Sequence, residues 1–129
     1  MKILVVDDDP ACRAIVAIHL KGLEGIEVDE AEDGNKAWAL LKHLHYDGAV
    51  VDWQMPGKSG LEIVREIRKA RRTIPLLMVS AESEKERLIE AIRAGITDYL
   101  IKPFDAETLL AKLVKFVELT RSEMSVLRA

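Results

Sequence analysis

Asp47-Gly48-Ala49-Val50-Val51-Asp52-Trp53-Gln54-Met55-Pro56-Gly57-Lys58-Ser59-Gly60 is the stretch whose reading decides the fold. A short apolar run, Ala49-Val50-Val51, stops at a carboxylate. A loop stiffened by Pro56 and loosened by Gly57 and Gly60 follows, and Ser59-Gly60-Leu61-Glu62 has the Ser-x-x-Glu form of a helix-opening capping box. Strand, loop and helix in that order form half of a parallel crossover unit. Asp52 reads either as a reactive or metal-binding group or as a turn residue that ends the strand, and the remaining chain has to decide between them.

The same unit recurs on both sides. Ile3-Leu4-Val5-Val6 is apolar throughout, as expected of a strand covered on both faces. It ends in Asp7-Asp8-Asp9, and Asp9 with Pro10 opens a helix expected to turn Ala11, Ile15 and Ile18 inward, with Leu20 at the margin, and to stop near Gly22. Ile26-Glu27-Val28-Asp29 alternates like an edge strand. Asp33-Gly34 leads into a helix with Ala37, Leu40, Leu41 and Leu44 at inward spacing and Trp38 partly exposed. After Gly60, Leu61, Val64 and Ile67 face inward up to the basic run Arg68-Lys69-Ala70-Arg71-Arg72. That run reads as a solvated helix end, where cations are favoured, in preference to a binding patch.

Leu76-Leu77-Met78-Val79 is a further apolar strand closed by Ser80. Ser83-Glu84-Lys85-Glu86 suggests a second capping box, opening a helix with Leu88, Ile89 and Ile92 inward and Gly95 as its stop. Tyr99-Leu100-Ile101 is the last strand, ended by Lys102-Pro103. Asp105 caps a final helix with Leu109, Leu113, Phe116 and Val117 inward. Five strands alternating with five helices predict an α/β, flavodoxin-like, doubly wound five-stranded parallel sheet of order 2-1-3-4-5.

Composition narrows the function. The 129 residues are 49% hydrophobic and 32% charged, enough for one core without staples. A net charge of −3 argues against direct nucleic-acid binding. Cys12 stands alone, so no disulfide framework or cysteine metal site is expected. His43-x-His45 reads as a solvated helix end rather than a metal pair. No apolar run is long enough to span a membrane. The start of the chain lacks a signal peptide's apolar region, so a cytoplasmic protein is expected.

In a parallel sheet the strand C-termini share one edge, and ligands bind there at the point where strand order reverses. That edge carries Asp7 and Asp8, Asp52, Ser80 and Lys102. Turn formation alone does not explain three acids, a hydroxyl and a lysine gathered together. Clustered carboxylates need a compensating cation. An oxygen-only donor set points to Mg²⁺ (or Mn²⁺). A lysine and a hydroxyl opposite the metal suit a transferring phosphoryl group. Asp52, on the central strand, is best placed as the nucleophile that forms an aspartyl phosphate.

Four motifs together resemble the response-regulator receiver domain of two-component signalling: Leu4-Val5-Val6-Asp7-Asp8, Asp52-Trp53-Gln54-Met55-Pro56 with Gly60-Leu61, Ser80-Ala81-Glu82, and Asp98-Tyr99-Leu100-Ile101-Lys102-Pro103-Phe104. The details are most similar to the single-domain chemotaxis (CheY-like) type, itself a known case of the 2-1-3-4-5 order. The resemblance implies that Asp52 accepts phosphate from a histidine kinase or phosphotransfer domain. Asp7, Asp8, Asp52 and the backbone carbonyl of Gln54 would hold Mg²⁺. Ser80 and Lys102 would contact the phosphoryl oxygens, Lys102-Pro103 would be a cis peptide, and Tyr99 would be the switch aromatic. Gln54, where the chemotaxis type has Asn, and Glu82 would tune phosphoryl lifetime. Ser80 replaces the commoner Thr. A downstream protein would read the helix after Ser83, the strand holding Tyr99 and the final helix.

The resemblance implies a signalling module whose only chemistry is its own phosphoryl transfer and autodephosphorylation. A receiver cut from a larger multidomain regulator stands as the alternative. A haloacid-dehalogenase-type phosphatase would need an acid at Gln54, and flavin binding would need a phosphate loop where three aspartates stand. Residues 1–118 form the expected receiver domain and 119–129 a C-terminal extension of the last helix or a tail. Leu113, Val117, Thr120, Met124 and Leu127 alternate in a heptad spacing. Either the tail frays, or the stripe carries into solvent as a signalling helix that supports a weak phosphorylation-dependent dimer.

Overall fold

The computed structural model describes residues 1–128, with side chains through Glu123. The elements alternate as β1 (Lys2–Val6), α1 (Pro10–Lys21), β2 (Glu27–Ala31), α2 (Gly34–His43), β3 (Gly48–Val51), α3 (Gly60–Lys69), β4 (Leu76–Ser80), α4 (Lys85–Ala94), β5 (Asp98–Ile101) and α5 (Ala106–Arg128). The five strands form one sheet in the order β2-β1-β3-β4-β5, every pair parallel.

The apolar strands work because both sheet faces are covered. Side chains alternate, so Leu4, Val6, Val51 and Met78 join α2, α3 and α4 in one core. Ile3, Val5, Val50 and Leu77 join α1 and α5 in the other. Each such side chain, fully buried, contributes roughly 1.5–3 kcal/mol, which lets the sheet carry buried carboxylates at its edge. Gly48 lets α5 approach: a Cβ there would lie 2.8 Å from Phe116 Cζ and 3.2 Å from Thr120 Oγ1.

Most helix starts follow the expected capping chemistry. Asp9 accepts from the Ala11 amide at 3.0 Å, and Ser59 accepts from the Glu62 amide at 3.1 Å. Asp105 accepts from the Thr108 amide at 2.7 Å. Gly95 ends α4 in the left-handed region at φ 112°, where glycine carries no Cβ penalty.

Four expectations are corrected. In α1, Cys12, Val16, Ala17 and Leu20 are buried, whereas Ala11, Ile15 and Ile18 are exposed. The cap at Asp9 and Pro10 sets the helical phase, and the i, i+4, i+8 set starting at Cys12 faces the sheet. In α4 only Ala91 is buried, and Ile89 and Ile92 face outward. Leu44, the extended residue after α2, is exposed too. The Ser83 capping box is absent: Glu84 is the N-cap residue without a side-chain cap bond. The Glu82 carboxylate takes the Glu84 amide at 3.1 Å, so the helix begins one residue later.

The last helix stays docked beyond residue 118. Thr120 is fully buried and donates to the Phe116 carbonyl at 2.8 Å. Arg121 donates to the Glu24 carbonyl, and the Thr73 hydroxyl donates to Glu123 at 2.8 Å. The apolar stripe therefore faces the core through Thr120 rather than solvent. The side chains of Met124 and Leu127 lie outside the described residues.

Candidate functional site at the C-terminal edge of the sheet

Sheet register sets the site. The Asp52 amide continues the β1–β3 ladder by donating to the Val6 carbonyl at 3.0 Å, which brings the ends of these two strands side by side. Asp7, one residue past β1, is buried, and its Oδ1 accepts from the Asp9 amide at 2.9 Å. Asp8 is exposed beside it. The carboxylates of Asp7, Asp8 and Asp52 each offer an oxygen within 4.8 Å of the others. The loop after β3 returns tightly: the Gly60 amide donates to the Trp53 carbonyl at 2.8 Å, and a Cβ on Gly60 would stand 1.9 Å from the Asp52 carbonyl oxygen.

The other two strands supply the cation and the hydroxyl. The Lys102 amide extends the β4–β5 pairing to the Ser80 carbonyl at 2.9 Å. Its Nζ lies 2.9 Å from Asp7 Oδ2 and 3.2 Å from Asp52 Oδ2. Ser80 is buried, and its Oγ accepts from the Glu82 amide at 3.2 Å. Tyr99 is half-buried and donates from its hydroxyl to the Glu82 carbonyl at 2.8 Å. The Lys102–Pro103 peptide is cis. Gln54 is exposed, while Glu82 is partly buried.

Comparison with known proteins matches this arrangement. Residues 3–114 match the family described as the response regulator receiver domain. The chain belongs to the response regulator receiver family. Chemotaxis protein CheY-3 of Vibrio cholerae is 42% identical over 120 residues, covering 92% of each chain. Chemotaxis protein CheY of Pseudomonas aeruginosa is 40% identical over 120 residues, 92% of this chain and 97% of the relative. Among solved structures, the Francisella response regulator 1452 receiver domain matches with a TM-score of 0.82 at 32% identity, over 92% of this receiver and 98% of that chain. Vibrio cholerae CheY4 matches at 0.79 and 35% identity, over 89% and 97%. Receivers are signalling modules that act with histidine kinases and downstream targets.

In this receiver the buried carboxylates are under electrostatic load. Burial first, and then the Asp7 charge, push the Asp52 carboxyl up to about 6, against the opposing pull of Lys102. Lys102 is pulled down by burial, but its hydrogen bond to Asp7 and the charges of Asp52 and Asp7 leave it raised, so it stays an ammonium. Lys102 is the cation that ion-pairs with either buried carboxylate among the described residues. One ammonium against three clustered carboxylates leaves negative charge uncompensated. The all-oxygen donor set is the kind a hard divalent cation takes.

Two neighbours of the site were not placed there from the sequence. Cys12 lies against Asp7, and burial followed by that contact pushes its thiol up to about 12, so it remains a neutral packing group. The Arg87 guanidinium stands 5.8 Å over the ring of Trp53, joining the first turn of α4 to the residue after Asp52. No spacing rule links residues 53 and 87, since only the sheet order brings α4 over that loop. Among the described residues no helix is long and apolar enough to cross a membrane.

Proposed function

We propose that Asp52 is the phosphoacceptor of a histidine-to-aspartate phosphorelay. The observation that carries this reading is the contact of Lys102 Nζ with both Asp7 and Asp52, with Asp8 alongside. An Asp52 oxygen attacks phosphorus as the bond to the donor's imidazole nitrogen breaks, and the electron pair stays on that nitrogen. Lys102 moves from the carboxylates to the phosphoryl oxygens, and the Ser80 hydroxyl, whose oxygen accepts from the Glu82 amide, turns its proton to them. Asp7, Asp8, Asp52 and the Gln54 carbonyl are the ligand set for Mg²⁺ or Mn²⁺, which when bound supplies charge neutralisation to carboxylates and phosphoryl oxygens.

Autodephosphorylation reverses the state. Water attacks phosphorus and the bond to the Asp52 oxygen breaks, returning the carboxylate, inorganic phosphate and a proton. On this reading Gln54 and Glu82, on the loops that follow β3 and β4, tune the rate of that step.

The conformational readout runs through Ser80, Glu82 and Tyr99. Ser80 Oγ and Tyr99 Oη both bond backbone groups of Glu82, so a pull on Ser80 moves the acceptor of Tyr99. The face of α4, β5 and α5 would then present a changed surface to a downstream protein. The likeness to chemotaxis proteins over nearly their whole length supports a cytoplasmic regulator of the single-domain chemotaxis type; residues 1–118 are assigned as the receiver, and 119–128 as the end of α5. A phosphorylation-dependent dimer would use the end of α5.

Self-labelling distinguishes this function from phosphatase chemistry. Incubated with Mg²⁺ and acetyl phosphate, the protein should gain one acid-labile phosphoryl group. With p-nitrophenyl phosphate it should show no sustained turnover, and multiple turnovers would refute the receiver reading.

A further inference from the structure

The sheet edge opposite Asp52 holds a second concentration of charge. There α2 and α3 end, and the chain enters β3 and β4. Between these segments lies a cleft of about 400 Å³ lined by Lys42, His43, His45, Arg71 and Arg72. Among the described residues no carboxylate lines it. The rest of its lining is Thr73 with the apolar or aromatic Leu44, Tyr46 and Ile74, which form the floor. In a chain of net charge −3, three permanent cations, Lys42, Arg71 and Arg72, around one concavity favour the entry of an anion.

Helix capping accounts for only part of this group. Arg72 donates to the Leu41 carbonyl at 2.9 Å, which ties the end of α2 to the loop after α3. Arg68, outside the cleft, donates to the carbonyls of Arg72 and Ile74, each at 2.8 Å. These two arginines serve the helix ends and hold the loop rigid. Lys42, His43 and Arg71 are exposed, and none makes a side-chain hydrogen bond or ion pair among the described residues. Arg71 occupies the left-handed region at φ 61°, an uncommon conformation for a residue with a Cβ. It is held there by its amide bond to the Arg68 carbonyl at 2.9 Å. The nearby carboxylates are engaged: Glu123 by the Thr73 hydroxyl, Asp47 by the Lys2 amide and His45.

We propose that this cleft binds a nucleotide, with its phosphates on the Lys42, His43 and Arg71 rim and its ring on the Leu44 and Ile74 floor. The cleft lies within the size range of small-molecule sites, roughly 300–1,000 Å³, and its apolar floor with few convergent charges has their make-up. The exposed cations of Lys42 and Arg71 give this end of the sheet a positive rim that attracts an anion without the compensating metal that the aspartate edge needs. Binding here is separate from the chemistry at Asp52 and would give the receiver a second input.

The test is a titration of the intact chain with ADP and GDP in metal-free buffer, followed by amide NMR and calorimetry. Expected is saturable binding by at least one of them, weakened by added salt, with the largest shifts at Leu44, Tyr46 and Ile74. The double variant Lys42→Gln, Arg71→Asn removes two exposed cations, and Asn tolerates the left-handed backbone at 71. It should bind at least about tenfold more weakly, while Asp52 labels from acetyl phosphate at the wild-type rate. Absence of saturable shifts at the cleft with both nucleotides, or equal binding by the double variant, overturns the proposal. Pyrophosphate binding as tightly as the nucleotides removes the ring contact and overturns it as well.

Discussion

Lys102 Nζ lies 3.2 Å from Asp52 Oδ2 across 50 residues of chain, yet it cannot neutralise Asp52 alone, because it lies closer to Asp7, at 2.9 Å. Burial and then the Asp7 charge therefore outweigh Lys102 and keep the Asp52 carboxyl pushed up to about 6 from an ordinary 3.8. A group raised on folding stabilises the fold below its unfolded value, and that contribution is lost as pH rises through the folded value. Asp52→Asn carries no charge to bury. In metal-free buffer above pH 6 it should be more stable than wild type, by on the order of 1–3 kcal/mol. The gain should shrink as pH falls through 6 and vanish below 4. Denaturant melts across that range measure it.

The same shift should set the pH response of the proposed metal site. A protonated Asp52 cannot be a ligand, so Mg²⁺ affinity should fall about tenfold between pH 7.5 and pH 5. Trp53, buried next to Asp52, reports binding through its emission in a Trp38→Phe background. Asp8→Ala should weaken the response. A titration without an emission change, identical in Asp8→Ala, counts against the metal site.

The residues at the strand ends were legible because a parallel sheet gathers them wherever its loops go. Asp7, Asp52, Ser80 and Lys102 needed only the strand order to be brought together. Helix faces were less legible. Ile15 and Ile18 are more hydrophobic than Cys12 and Ala17, so composition favoured the wrong stripe, and only the phase set by Asp9 and Pro10 corrects it. Ser83 matched a capping pattern, but Glu82 competes for the same turn. The cleft around Lys42 and Arg71 was invisible because its halves lie on different helix ends, each of which alone reads as ordinary dipole compensation.

Ser80 and Tyr99 meet at Glu82, one at its amide and one at its carbonyl. Ser80→Ala should still take phosphate at Asp52 but transmit it poorly. Tyr99→Phe loses a hydrogen bond contributing about 1 kcal/mol and should blunt the change at α4 and β5 similarly. Amide NMR of the beryllofluoride-bound variants measures both. Wild-type shifts in the two variants would disprove this coupling.

Thr120, fully buried against Phe116, makes the end of α5 part of the core. Removing residues 119–129 should lower stability by about 1–3 kcal/mol and abolish any phosphorylation-dependent self-association. Sedimentation of the full and shortened chains with beryllofluoride separates the two effects. A full chain that is strictly monomeric in both states removes the dimer and leaves the packing role.

The most direct measurement is the rate of phosphoryl incorporation from acetyl phosphate with Mg²⁺, in wild type and in Asp52→Asn. The substitution keeps the shape of the side chain and removes the nucleophilic oxygen. Wild type should take one acid-labile phosphoryl group that maps to Asp52, and Asp52→Asn should take none. Labelling of Asp52→Asn at the wild-type rate would contradict the assignment of Asp52 as phosphoacceptor.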